Sequence, residues 1–111
     1  MAWTTLCEMN DLVEGRGHYV DIDGRELAVF LHKGEVHVMD DTCPHAGGSL
    51  ASGHVEEMGG TACAVCPMHC WPFRLDDGEY YDMPGFEVKV YPTRVEETEG
   101  RKLVQADLPM P

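Results

Sequence analysis

The stretch Tyr19-Val20-Asp21-Ile22-Asp23-Gly24-Arg25-Glu26-Leu27-Ala28-Val29-Phe30-Leu31-His32-Lys33-Gly34-Glu35-Val36-His37-Val38-Met39 decides the fold class. Short runs of β-branched and aliphatic residues are punctuated by Asp23-Gly24 and Lys33-Gly34. Dipeptides of this kind favour two-residue hairpin turns. Val36, Val38 and Met39 sit among polar neighbours at the period expected of a half-buried strand. Toward the C-terminus Phe86, Val88 and Val90 alternate and Val95 follows. After Glu99-Gly100, Leu103-Val104 reads as the last hairpin arm. Nothing in the chain has a sustained helical period. The expected fold is all-β: a small antiparallel sandwich or barrel.

The 111 residues form one core-sized unit, so a single domain over 1–111 is expected. Hydrophobic residues are 43% of the chain and charged residues 25%, which is globular and not disordered usage. There is no apolar run of the ~20 residues a membrane span needs and no signal-peptide pattern at the start, which makes a cytoplasmic, membrane-free protein the expectation. Eight Lys and Arg against 20 Asp and Glu give a net charge of −12, which repels nucleic acid and anionic lipid and favours a basic protein partner. The five cysteines are an odd number without framework spacing, so reduced thiols or metal ligation are better readings than a disulfide scaffold.

Between Asp41 and Pro84 the texture changes. Glycine, proline, cysteine and histidine crowd together, and alternation survives only around Ala62–Val65 and Phe73–Leu75. Loops carrying a site are the natural account. Cys43-Pro44-His45 and Cys66-Pro67-Met68-His69 each bring a thiolate and an imidazole within reach of one tight loop, with 20 residues between the pairs. Two Cys and two His also suit tetrahedral zinc, but zinc fingers pair like ligands, whereas each loop here contributes one of each type. Mixed thiolate and imidazole ligation suits an iron–sulfur centre.

These residues resemble the Rieske family pattern, C-x-H followed by C-x-x-H. The similarity runs through Cys43-Pro44-His45-Ala46-Gly47-Gly48-Ser49-Leu50 and Cys66-Pro67-Met68-His69-Cys70-Trp71-Pro72-Phe73-Arg74-Leu75-Asp76-Asp77-Gly78. The resemblance implies a Rieske-type β fold with a cluster-binding subdomain of two loops, at about 41–84, inserted in the base domain. It implies a 2Fe-2S cluster with Cys43 and Cys66 on the inner iron and His45 and His69 on the outer one. The chain departs from the common bacterial ferredoxins in a longer segment between the loops and in Cys70, where Gly usually follows the second His. Cys63, three residues before Cys66, is similar to a cysteine of eukaryotic cytosolic Rieske-domain proteins. High-potential members carry an extra Cys in each loop and Ser and Tyr hydroxyls after the second His. Here Gly48, Trp71 and Phe73 stand instead, which implies a potential at the low end of the family's range.

The function so implied is a monomeric one-electron carrier, not an enzyme in itself, taking electrons from a flavin-dependent reductase and passing them to a terminal oxygenase. The alternatives are a cluster-bearing small subunit of a reductase such as nitrite reductase and a zinc-stabilised interaction domain. Eight acids against one base, Arg74, between Asp40 and Asp82 suggest an acidic rim that steers partners with basic docking surfaces. Cys63 reads as a small buried strand residue, Cys7 and Cys70 as free thiols, and His18, His32, His37 and His54 as surface or satisfied histidines. Trp71 and Phe73 are expected to pack beneath the second loop, and Glu56-Glu57 and Asp76-Asp77 to be solvated loop acids.

Overall fold

The computed structural model describes residues 2–43, 47–68, 70–82 and 85–109. Among these described residues ten strands run in chain order: β1 (Ala2–Glu8), β2 (Gly17–Ile22), β3 (Arg25–His32), β4 (Glu35–Asp40), β5 (His54–Met58), β6 (Thr61–Val65), β7 (Pro72–Arg74), β8 (Val90–Tyr91), β9 (Thr93–Thr98) and β10 (Arg101–Leu108). They build three antiparallel sheets, ordered β1-β10-β9, β2-β3-β4-β8 and β5-β6-β7. Asp23-Gly24, Lys33-Gly34 and Glu99-Gly100 all have positive φ at both turn residues. That geometry matches the right-handed twist of the flanking strands, so these dipeptides become the expected hairpin turns.

The sheet β2-β3-β4-β8 is the middle layer, and β3 shows why. Leu27, Ala28, Val29 and Phe30 are all fully buried. Leu27 and Val29 join Val38, Val104 and Leu108 in a core shared with the β1-β10-β9 sheet. Ala28 and Phe30 point the other way, with Met39, Leu50, Ala64 and Phe73, into a core shared with the third sheet. A strand of period two covered on both faces must be apolar at every position. Each large buried side chain contributes about 1.5–3 kcal/mol. Cys43 and Cys66 belong to the second of these cores.

Two local expectations are revised. Residues 54–58 form a strand, β5, so Glu56 and Glu57 are strand residues, and the Glu57 carboxylate lies 2.9 Å from Lys33 Nζ and 3.2 Å from His32 Nε2. The alternation at Phe86, Val88 and Val90 yields only the two-residue β8. Phe86 is spent on an aromatic cluster, and Val88 is buried outside any strand. Among the described residues no helix is long and apolar enough to cross a membrane.

Candidate metal centre

The first loop leaves β4 through Asp41. Its neck is zipped by backbone bonds: Leu50 N–H donates to Asp41 O (2.8 Å), Thr42 and Ser49 pair across the loop, and Cys43 N–H donates to Gly48 O (2.8 Å). Gly47 N–H returns to Cys43 O at 2.8 Å, and Cys43 is 1% exposed. The loop then runs into a 3-10 turn, Leu50–Ser52, whose Leu50 and Ala51 enter the core.

The second loop leaves β6, and Cys66, fully buried, donates its N–H to Trp71 O at 2.9 Å. The strand β7 begins at once with Pro72 and fully buried Phe73. The Trp71 ring stacks on Tyr80 with centroids 4.3 Å apart and planes 4° from parallel, and Phe86 meets Trp71 edge-on at 5.4 Å. Phe73 closes the group against Tyr80 at 5.7 Å. Rings at such distances and angles add to the burial of their own area.

The two loops bring Cys43 and Cys66 together. Burial pushes the Cys66 thiol up from its ordinary range, the Met68 backbone N–H pulls the other way, and the adjoining Cys43 thiol adds to the rise, as does Cys70. A buried thiol such as Cys66 resists ionising unless positive charge lies close by, which is the condition a metal centre supplies. The wall opposite is Gly48: a Cβ there would lie 3.4 Å from Cys66 Sγ and 3.0 Å from Met68 Sδ. Paired buried thiols beside a glycine wall fit a sulfur-ligated group that needs soft donors and close backbone approach. His45 and His69, the expected imidazole ligands, lie outside the described residues. Among the described residues no group of three or more His, Cys, Asp or Glu is arranged to hold a metal ion.

Residues 2–102 match the family of Rieske-like 2Fe-2S domains. The chain belongs to that family. The Rieske cofactor is the 2Fe-2S cluster, and the β architecture is the Rieske fold. A human Rieske domain-containing protein is 45% identical over 58 residues, which are 52% of this chain and 37% of that protein. The ferredoxin component of the alkene monooxygenase system of Xanthobacter autotrophicus is 29% identical, covering 98% of this chain and 84% of its own. A crystal structure described as an NADH-dependent nitrite reductase small subunit from Mycobacterium tuberculosis superimposes with a TM-score of 0.86 at 35% identity, covering 98% of this chain and 97% of that one.

The remaining expectations on this Rieske domain divide. Cys63 is fully buried in β6, and burial pushes its thiol up to about 11, so it is an inert strand residue. Cys7 is half-buried in β1, with its thiol also held near 11, by burial first and then by Asp11. Cys70 is exposed and holds a φ of +56°, in the left-handed region that favours glycine. His32 and His54 are partnered by carboxylates, at 3.2 Å to Glu57 and 3.0 Å to Glu56. Trp71 and Phe73 do pack beneath the loop. The acidic segment is not a uniform rim. Asp41 is buried, Asp40 accepts from the Tyr91 hydroxyl at 2.6 Å, and Asp77 faces Arg74 at 3.5 Å. The role of Asp41 has no signature in its own residue type; the one hint is its place two residues before Cys43.

Proposed function

We propose that this chain is a one-electron carrier in which Cys43 and Cys66 ligate one iron of the cluster and His45 and His69 the other. The observation that carries this reading is the meeting of two fully buried thiols from two separate loops against Gly48. Bound there, a Rieske 2Fe-2S cluster supplies a one-electron couple. The protein's part is to bury the two sulfurs, exclude water from them with Leu50, Phe73 and the Trp71 ring, and hold residues 41–84 as a cluster-binding unit on the base sheets. Four protein ligands leave no position open for a substrate, which supports a carrier over a catalyst.

The partners we infer are a flavin-dependent reductase as donor and a terminal oxygenase as acceptor, by analogy with the alkene monooxygenase ferredoxin component. A second reading, the small subunit of a nitrite reductase, is favoured by the 35% identity over nearly the whole of the Mycobacterium tuberculosis chain. Dithionite bleaching of a red-brown chromophore and the electron paramagnetic resonance signal of the reduced protein test the cluster. Electron delivery to an oxygenase component, set against tight co-purification with a nitrite reductase large subunit, separates the two readings.

Gly48, Trp71 and Phe73 offer no hydroxyl or thiol to the cluster, so a potential near the family's low end, about −150 mV and flat through neutral pH, is expected by voltammetry. A value near the high end, about +300 mV, overturns that expectation. Exposed Glu56, Asp76 and Asp82 remain to steer a basic partner. Delivery should slow between low salt and ~0.15 M, where the Debye length is about 8 Å. A rate indifferent to salt removes the steering role.

A further inference from the structure

We propose that Asp41 is a positioning residue: its buried carboxylate clasps the two ends of the Cys43 loop and so sets where the Cys43 thiol faces Cys66. The inference rests on the reading of the two loops as the cluster site. Asp41 is 4% exposed. Its Oδ1 accepts from the Ser49 hydroxyl at 2.9 Å and from the Ala51 amide at 2.8 Å. Its backbone works in parallel, N–H to Glu26 O at 3.1 Å and C=O from Leu50 N–H at 2.8 Å. One residue thereby joins the start of β3, the entrance of the loop and its exit.

The division of labour at the exit is unusual. The first amides of a helical turn have no partner within it, and the residue before the turn normally supplies one. Ser49 occupies that place ahead of Leu50–Ser52 and makes no side-chain cap. Its hydroxyl is turned to Asp41, which itself takes the Ala51 amide, so the turn is capped from across the loop. The far side is closed by Gly17 of β2, where a Cβ would run into the Ala51 carbonyl. Between this wall and the Asp41 carboxylate the turn has one seat. Cys43 lies two residues after Asp41, and Gly48 immediately precedes Ser49. A slip at the clasp therefore moves both the thiol and the wall facing Cys66.

Both side-chain bonds fall on Oδ1, so Asn can reproduce them with its amide oxygen. That separates the clasp from the carboxylate's charge. The test uses full-length holoprotein as wild type, Asp41→Asn, Asp41→Ala and Ser49→Ala, with decay of the visible chromophore in excess chelator as the first readout. Hydrogen exchange of the cluster-free protein at the Ala51 amide, against amides in β3, is the second. Asp41→Ala should lose the cluster about tenfold faster, equivalent to about 1.4 kcal/mol for an orphaned buried donor. Ser49→Ala should lose it about threefold faster and Asp41→Asn within about twofold of wild type, since one bond and none are removed. Exchange at Ala51 should rise in Asp41→Ala while β3 stays protected. Wild-type decay in Asp41→Ala, equal decay in Asp41→Asn and Asp41→Ala, or exchange rising equally throughout the fold overturns the clasp. Where Asp41→Ala fails to fold, the order of Ser49→Ala and Asp41→Asn decides, and Asn decaying faster overturns it. A wild-type protein without a chromophore defeats the cluster reading instead, and exchange at Ala51 in the same variants still judges the clasp.

Discussion

The loop around Cys43 is closed by directional bonds, a carboxylate and a short backbone ladder, whereas among the described residues the loop around Cys66 is closed by the Cys66 N–H to Trp71 O bond and a wall of four rings. Among its described residues the first has Gly47 and Gly48; the second has Trp71 and Phe73 immediately behind it. Bonds of the first kind fail when one acceptor is removed, because a buried donor left alone costs about 1–3 kcal/mol. Packing of the second kind fails by degrees with the area lost. The two sulfurs are thus held from one side by geometry and from the other by bulk. Rigidity at the site does not depend on either alone.

The largest expected effect abolishes the comparison. Cys43→Ser or Cys66→Ser should remove the cluster entirely, since a hydroxyl is a poor substitute for a thiolate as a soft ligand. Iron and sulfide analysis of either variant checks this, and wild-type stoichiometry in one of them would displace that residue from the ligand set. With the cluster gone, the Cys43 loop should keep its exchange protection, because its clasp is made by protein alone.

Next in size are two changes that attack one loop each. Gly17→Ala drives a Cβ into Ala51 backbone, which no side-chain rotation can relieve, and should cost about 3 kcal/mol by overpacking. Trp71→Ala removes the stacked ring from the other loop and should cost about 2 kcal/mol, less than the ~3–5 for a fully buried tryptophan. Chemical denaturation gives the two values. Trp71→Phe should recover much of its loss, as packing tolerates a smaller ring, and a loss as large as that of Ala would overturn the packing account.

This asymmetry also explains what could be read from the sequence. The Asp-Gly, Lys-Gly and Glu-Gly turns were legible because two consecutive positive φ values have few residue solutions. The Rieske family was legible because one cysteine and one histidine fall close together in each of two loops. The strand β5 was hidden by two adjacent acids, Glu56 and Glu57, which break alternation on an edge strand whose faces are largely solvated. Phe86 to Val90 imitates a strand because aromatic packing and a buried valine happen to share its period. Asp41 looked like one of eight acids, since burial of a carboxylate follows from its partners and not from its neighbours in sequence.

The smallest effect concerns Cys70, where the second loop carries a local fault. Cys70 holds a φ of +56° without the short polar side chain that makes such a conformation tolerable in Asn or Asp. Replacing it with glycine removes a penalty of about 1–2 kcal/mol and gives part of it back through a freer unfolded chain. The net gain expected for Cys70→Gly is about 0.5–1 kcal/mol, a rise in melting temperature of roughly 3–6 °C. Cys70→Ala keeps the strained backbone and should gain nothing, which separates backbone from sulfur. Glu99 provides the second control: it has φ +49° in the turn between β9 and β10, outside both the Cys43 and the Cys66 loop. Glu99→Gly should raise the melting temperature by a similar amount and leave the lifetime of the bound cluster unchanged. Cys70→Gly should lengthen that lifetime as well, because the residue lies inside the segment closed by the bond from Cys66 N–H to Trp71 O. Equal gains from Gly and Ala at position 70 would locate the fault in the exposed thiol and clear the backbone.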